Sequence, residues 1–283
     1  MMLIKNLARA LRLIRLLNYN SSRNCGPLSL ELTLTSACNY KCYFCVEHSY
    51  LRTSGARIMQ MPDKVLNSVL RAVKELDIKE VLLGGDGEPT LHNKLDDVIM
   101  SLPGRSLKII TNGSRLGVFT EKLFRRLDKL TVSINSLDAD THKKIHGYDG
   151  PSQLPDILEK LKKLLDMKNG RKKIQVNYVM TADNCGELDT VVRFIREYDV
   201  SVTLRPMSVW FNEVSAKAMG RSQKENIYES VCSELEKGAD GRLRDSLEHM
   251  KRSFSIEANK KFRNTLLPCY TGFYIAFIGA DGA

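Results

Sequence analysis

Long apolar runs are missing from this chain. Its hydrophobic stretches last only a few residues, far short of the roughly 20 needed to cross a bilayer, so no membrane-spanning helix is expected. Residues 1–23 contain no acidic residue, and Lys5, Arg9, Arg12, Arg15 and Arg23 interrupt them at almost every turn. The uninterrupted apolar core of about 7–15 residues that a secretory signal requires is therefore absent, and export is not expected. Aromatic residues are scarce, at 7% with one Trp, and no compact basic patch with interleaved aromatics stands out, so specific nucleic-acid binding is not expected. The 7 cysteines are odd in number, and three of them fall within eight residues. A disulfide framework has neither property, so with no export signal the cluster points to metal or redox chemistry in the cytoplasm.

What is present is enough for a large core: 283 residues, 43% hydrophobic and 27% charged, read as a soluble chain with one barrel-sized domain or two smaller ones. The formal net charge is +10, and half of that excess lies in residues 1–23. There Leu3, Ile4, Leu7, Leu11, Ile14 and Leu17 recur at three- and four-residue steps, which predicts a basic amphipathic helix over 1–24. Packing of its leucines on the body of the protein is one reading. Peripheral contact of residues 1–18 with the anionic inner face of a membrane is the other.

Residues 27–35 alternate apolar and polar side chains as a strand does, and lead directly into the cysteines. Helical spacing follows from Met61 to Leu76, then a short apolar strand at 80–84. Further strands are predicted at 107–111, 130–135, 174–180 and 201–206, separated by helical patterns. Six strands, each followed by a helix or long loop, predict an α/β core over 25–210: a partial (βα)6 TIM-like barrel with parallel strands. Residues 211–283 read as a second region. It holds a polar connector, helical between Lys224 and Lys251, and then an aromatic, β-branched stretch ending on the hairpin pair Asp281-Gly282. Stopping on a turn leads to the expectation that the chain is truncated relative to a longer parent.

Cys38-Asn-Tyr-Lys-Cys42-Tyr-Phe-Cys45 places three thiolates on one short loop, able to hold three corners of a cubane 4Fe–4S cluster and leaving the fourth iron without a cysteine. An open metal position is what catalytic sites keep and what electron carriers close. A zinc site, with His48 as a fourth ligand, and a non-catalytic Fe–S carrier are the competing readings.

The C-x-x-x-C-x-x-C spacing, with Phe44 before the last cysteine and a strand before the first, resembles the cluster loop of the radical S-adenosylmethionine (radical SAM) superfamily. The resemblance runs over about residues 28–206. Gly84-Gly-Asp-Gly-Glu-Pro89 is similar to the family's Gly-Gly-Glu-Pro type turn, with Asp86 in place of the commonest pattern's glycine. Thr111-Asn112-Gly113 and the segment from Val132 through Ser133, Asn135 and Ser136 to Asp138 resemble family segments at the top of the barrel.

The resemblance implies a 4Fe–4S cluster on Cys38, Cys42 and Cys45 that reductively cleaves S-adenosylmethionine to a 5′-deoxyadenosyl radical. It implies cofactor contacts from Phe44, Gly85, Gly87, Glu88, Ser133, Asn135 and Met207, with Glu88 offering its carboxylate to the methionyl ammonium. The Tyr43–Phe44 segment would lie against the adenine, and Asn177 and Arg205 would point into the barrel. Expected partners are a reductant protein of flavodoxin or ferredoxin type and a peptide, sugar or small-metabolite substrate. The stretch around Cys269 resembles the opening of a SPASM or twitch extension. An enzyme similar to the GTP cyclase of molybdenum cofactor synthesis is the alternative, because it shares the Val-Ser-x-x-Ser-Leu-Asp-like segment.

Overall fold

The computed structural model describes residues 27–46, 57–207, 217–239, 241–258 and 275–280. The basic N-terminal helix and its membrane contact, His48, Cys269 and the Asp281-Gly282 turn lie outside them. Among the described residues no helix is long and apolar enough to cross a membrane.

Strand β1 (Ser29–Leu32) is followed by α1 (Asp63–Glu75) and β2 (Glu80–Leu83). Then come α2 (Leu95–Ser101), β3 (Ser106–Thr111), α3 (Glu121–Arg126), β4 (Lys129–Ser133), α4 (Ala139–His146), α5 (Leu154–Asp166) and the short α6 (Gly170–Lys173). Strand β5 (Ile174–Met180), α7 (Leu188–Tyr198), β6 (Ser201–Pro206), α8 (Arg221–Glu236), α9 (Gly241–Ala258) and β7 (Ile275–Ile278) complete the order. The helices form where apolar residues recur at helical spacing: α1 buries Leu66, Val69 and Val73, and α7 buries Leu188, Val191, Val192, Phe194 and Ile195.

All six expected strands are present and every pairing is parallel, in the order β6-β5-β4-β3-β2-β1-β7. One face of each strand is apolar. Leu30 and Leu32, Val81 and Leu83, Leu107 and Ile109, Leu130 and Val132, and Val176 and Tyr178 are buried in the core that the helices cover. Parallel sheets usually bury both faces and read as continuous apolar runs. Here the alternate positions include Glu31, Glu80, Lys108, Lys129, Gln175, Asn177, Thr203 and Arg205, with Leu82, Ile110 and Val179 among them, so the second face of this open barrel is a largely polar lumen.

The region expected as a connector and an extension adds to the same sheet. The predicted helical stretch is two helices, α8 and α9, separated where Gly238 turns with φ of 89°. Helix α9 packs on β6: the amide of Val202 donates to Ser246 Oγ at 3.0 Å, and Leu247 and Met250 are fully buried. Residues 275–278, ahead of the expected turn at Asp281-Gly282, are extended. They form a seventh parallel strand on the free edge of β1, with Leu30 opposite Ala276, and Thr33 donates to the carbonyl of Ile278 at 3.0 Å.

Candidate active site

Beyond β1 the chain turns into the cysteine loop, which three elements hold. From β2, Gly84 O accepts from Thr33 Oγ1 at 3.1 Å, and the amide of Glu88 donates to Ala37 O at 2.8 Å. Sequence reasoning assigned Gly85 and Gly87 to close approach of a ligand. The structure adds a tighter reason: a Cβ on Gly85 (φ 101°) would strike Thr33 Oγ1, and one on Gly87 would strike the carbonyls of Thr35 and Ala37.

Glu88 is buried, with 2% of its surface exposed, and its carboxylate ties two strand ends together. Oε1 accepts from Thr90 N at 3.1 Å, Thr90 Oγ1 at 2.6 Å and Thr111 Oγ1 at 2.7 Å. Oε2 accepts from Asn112 N at 2.6 Å. Burial pushes its pKa up against these four donors. Oε1 is saturated, so any ammonium reaching this carboxylate meets Oε2. From β3, the side-chain amide of Asn112 donates to Asn39 Oδ1 at 2.8 Å and lies 3.8 Å from Cys38 Sγ.

The third support is the end of α4. Its last carbonyls, of Ile145 and His146, lack partners within the helix, as helix ends do, and accept from Tyr43 N at 3.4 Å and Lys41 N at 2.8 Å. Gly147 ends the helix in the left-handed region, φ 60°, where a Cβ would press on Lys41 O at 2.7 Å. His146, 1% exposed, puts Nδ1 3.1 Å from Cys42 Sγ. Burial pushes its pKa down to about 4, so the ring is neutral around Cys42.

Cys38, Cys42 and Cys45 line one cavity of about 260 Å³ together with Phe44, Gly85, Gly87, Glu88, Ser133, Asn135, Asn177 and Arg205. Of the site residues read from sequence, Met207 and Tyr43 fall elsewhere. Met207 is buried, and its amide donates to Met180 O at 2.8 Å. Asn135 holds φ of 58°, a conformation Asn tolerates better than most residues, and its Oδ1 accepts from Val179 N at 2.8 Å. Tyr43 turns toward Asp183, donating to Oδ2 at 3.1 Å, with Lys217 Nζ 5.7 Å from its ring centre.

The thiols fit an iron–sulfur cluster. Burial pushes the Cys42 thiol up, and the neighbouring Cys45 and Cys38 push it further. Burial likewise raises Cys38. Three soft donors that repel one another as thiolates, facing one cavity, are stabilised by a shared polycation. Among the described residues no three His, Cys, Asp or Glu side chains converge on a single ion, whereas a cubane spreads its ligands over several irons.

Sequence reasoning missed His146 and Asn112 as neighbours of the cysteine sulfurs. His142 and His146 share a face of α4 at i, i+4 spacing, a signal that was legible. What they face was not.

A model of the radical SAM superfamily matches residues 32–195. A probable GTP 3′,8-cyclase of Sulfurisphaera tokodaii is 31% identical over 191 residues, covering 65% of this chain and 58% of that protein. One of Metallosphaera sedula is 28% identical over 216 residues, covering 73% and 65%. The chain thus spans less than two thirds of the length of these relatives. Among solved structures, Streptococcus suis SuiB bound to its precursor peptide SuiA superposes with a TM-score of 0.59 at 17% identity, covering 98% of this chain and 63% of that one. At that identity the likeness speaks for the fold alone.

Proposed function

The chain belongs to the radical SAM superfamily, and on that premise we propose that it cleaves S-adenosylmethionine at Cys38, Cys42 and Cys45 and removes a hydrogen atom from an organic substrate in the lumen. Members of the superfamily use a 4Fe–4S cluster and S-adenosylmethionine and take a reductant and a substrate. When bound, these cofactors supply the 5′-deoxyadenosyl radical.

The observation that carries the reading is the shared cavity: three cysteines, the Glu88-pinned turn, Ser133 and Asn177 line it together. Glu88 positions, because its hydrogen bonds set Asn112 and the end of β3 against the cysteine loop. Phe44, Ile110 and Val179 supply apolar lining that excludes water from a reactive intermediate. Ser133 and Asn177, opposite each other on β4 and β5, offer hydrogen bonds to a polar ligand. The reductant is a flavodoxin- or ferredoxin-type protein. A SPASM- or twitch-type extension is part of the same reading and rests on the resemblance of the stretch around Cys269.

For the substrate, a peptide, sugar or small metabolite is the general reading. A nucleotide, as the cyclase relatives' names indicate for those proteins, is favoured by one observation. Lys108 is paired with Glu80 at 2.6 Å, but among the described residues no carboxylate pairs with Lys129 or Arg205 on the same lumen face. Lys129 is half-buried beside Lys108 and Arg205, and burial followed by those charges pushes its pKa down. An anionic substrate group would relieve that.

Anaerobic reconstitution tests the reading. Wild-type protein should load a 4Fe–4S cluster whose electron paramagnetic resonance (EPR) spectrum changes on adding S-adenosylmethionine, and should release 5′-deoxyadenosine on reduction. Cys42→Ala should do neither. A cluster indifferent to S-adenosylmethionine would identify a carrier instead.

A further inference from the structure

We propose that His146 donates a hydrogen bond to the Cys42 sulfur of the loaded cluster and so sets the cluster's reduction potential. The inference rests on the cluster assignment above and goes beyond it to a residue outside every motif.

The ring is fixed. It packs at a tilt against His142 and Tyr40, 4.3 and 4.9 Å away centre to centre, and His142 is itself held by Tyr148 Oη at 2.9 Å from Nδ1. Its Nδ1 therefore stays 3.1 Å from Cys42 Sγ.

A neutral imidazole carries one N–H, and which nitrogen bears it follows from the partners of both. Nε2 lies between an acceptor, Ile134 O at 2.9 Å, and a donor, Asn135 Nδ2 at 3.4 Å. The Asn135 amide cannot be flipped freely, because its Oδ1 takes the Val179 N–H at 2.8 Å, which turns Nδ2 toward the histidine. The Nε2–H tautomer keeps the shorter contact, to Ile134 O; the Nδ1–H tautomer gives that bond up and keeps the longer one, from Asn135. With a free thiol, Nε2–H donates to Ile134 O and Nδ1 accepts the Cys42 S–H. With Cys42 bound to iron there is no S–H, and that tautomer would aim a lone pair at an electron-rich sulfur. The other tautomer places Nδ1–H on the sulfur while Nε2 accepts from Asn135. No change in the ring's net charge is involved.

Hydrogen bonds to the sulfurs are one of the determinants of an iron–sulfur potential. A donor stabilises the more negative, reduced state and raises the potential. Cys38 has a longer contact of the same kind: the Asn112 amide, which gives one N–H to Asn39 Oδ1 at 2.8 Å, has its second N–H for the Cys38 sulfur at 3.8 Å.

The test uses the full chain, reconstituted anaerobically and titrated with EPR detection. His146→Leu, which keeps bulk and removes the donor, should make one-electron reduction at least tenfold less favourable, about 59 mV more negative. His146→Asn, whose amide nitrogen stands near the place of Nδ1, should recover most of that shift. A His146→Leu protein with full iron content and the wild-type potential would overturn the proposal. Should that variant not fold, wild-type protein with 15N-labelled histidine decides. A histidine nitrogen coupled to the reduced cluster, lost in labelled His146→Asn, supports the hydrogen bond, and no coupling overturns it. Failure of the wild type to take up a 4Fe–4S cluster would count against the cluster assignment, a separate outcome.

Discussion

The cysteine loop is gripped from two sides that differ in kind. On the β2–β3 side a motif residue, Glu88, has its carboxylate engaged by four protein donors and reaches the cofactor cavity mainly as a brace. On the α4 side no motif is present, yet helix-end carbonyls hold the loop backbone and His146 touches the Cys42 sulfur. A recognisable motif therefore marks where the site is, while the groups in contact with the thiols include residues of no recognisable pattern.

Removing Glu88 should break the comparison hardest. Glu88→Ala leaves the Thr90 and Asn112 amides and the Thr90 and Thr111 hydroxyls without their buried acceptor. A loss on the order of 3 kcal/mol or more is expected from unsatisfied buried donors, read as a lower denaturant midpoint in the cluster-free protein. A purely ligand-binding Glu88 would leave that midpoint unchanged and weaken S-adenosylmethionine binding alone.

On the other side, Gly147→Ala should cost about 1–2 kcal/mol, because the side chain meets a left-handed backbone and the Lys41 carbonyl. It should also speed iron loss from the reconstituted protein, measured as release to a chelator. Stability lost without faster iron release would show that α4 holds the loop less directly than the brace does.

The smallest effect is expected at the far end of α4, where exposed Asp138 caps the helix by accepting from Thr141 N at 2.8 Å. Asp138→Ala should cost about 1 kcal/mol. That hydrogen bond lowers the Asp138 pKa, so the folded value lies below the unfolded one of about 3.9. The contribution is present above that value and disappears as pH falls through the folded pKa. The midpoint difference between wild type and Asp138→Ala should thus be constant near neutrality and shrink below about pH 4.

Much of this was legible in the chain. Period-two alternation marked six strands because one face packs on helices and the other lines a polar lumen. The cysteine spacing singled out one loop, and Phe44, Ser133, Asn135 and Glu88 line the cavity that its three thiols face. The pairing of β7 with β1 was not legible, because a short apolar run carries no record of its partner, and β1 lies at the other end of the chain. Met207 was placed in the site because it follows a strand end, but its backbone turns back onto Met180.

The sequence by itself determined the local order: which residues extend, which coil, where the glycines must lie, and which three thiols can share a cluster. Each of these depends on neighbours a few residues apart. The tertiary structure alone decided that Glu88 is a brace, that the α4 terminus closes on the cysteine loop, and that His146 meets Cys42 across 104 positions of chain. Those contacts arise when separate elements pack on one sheet, and no local pattern encodes the distance between them.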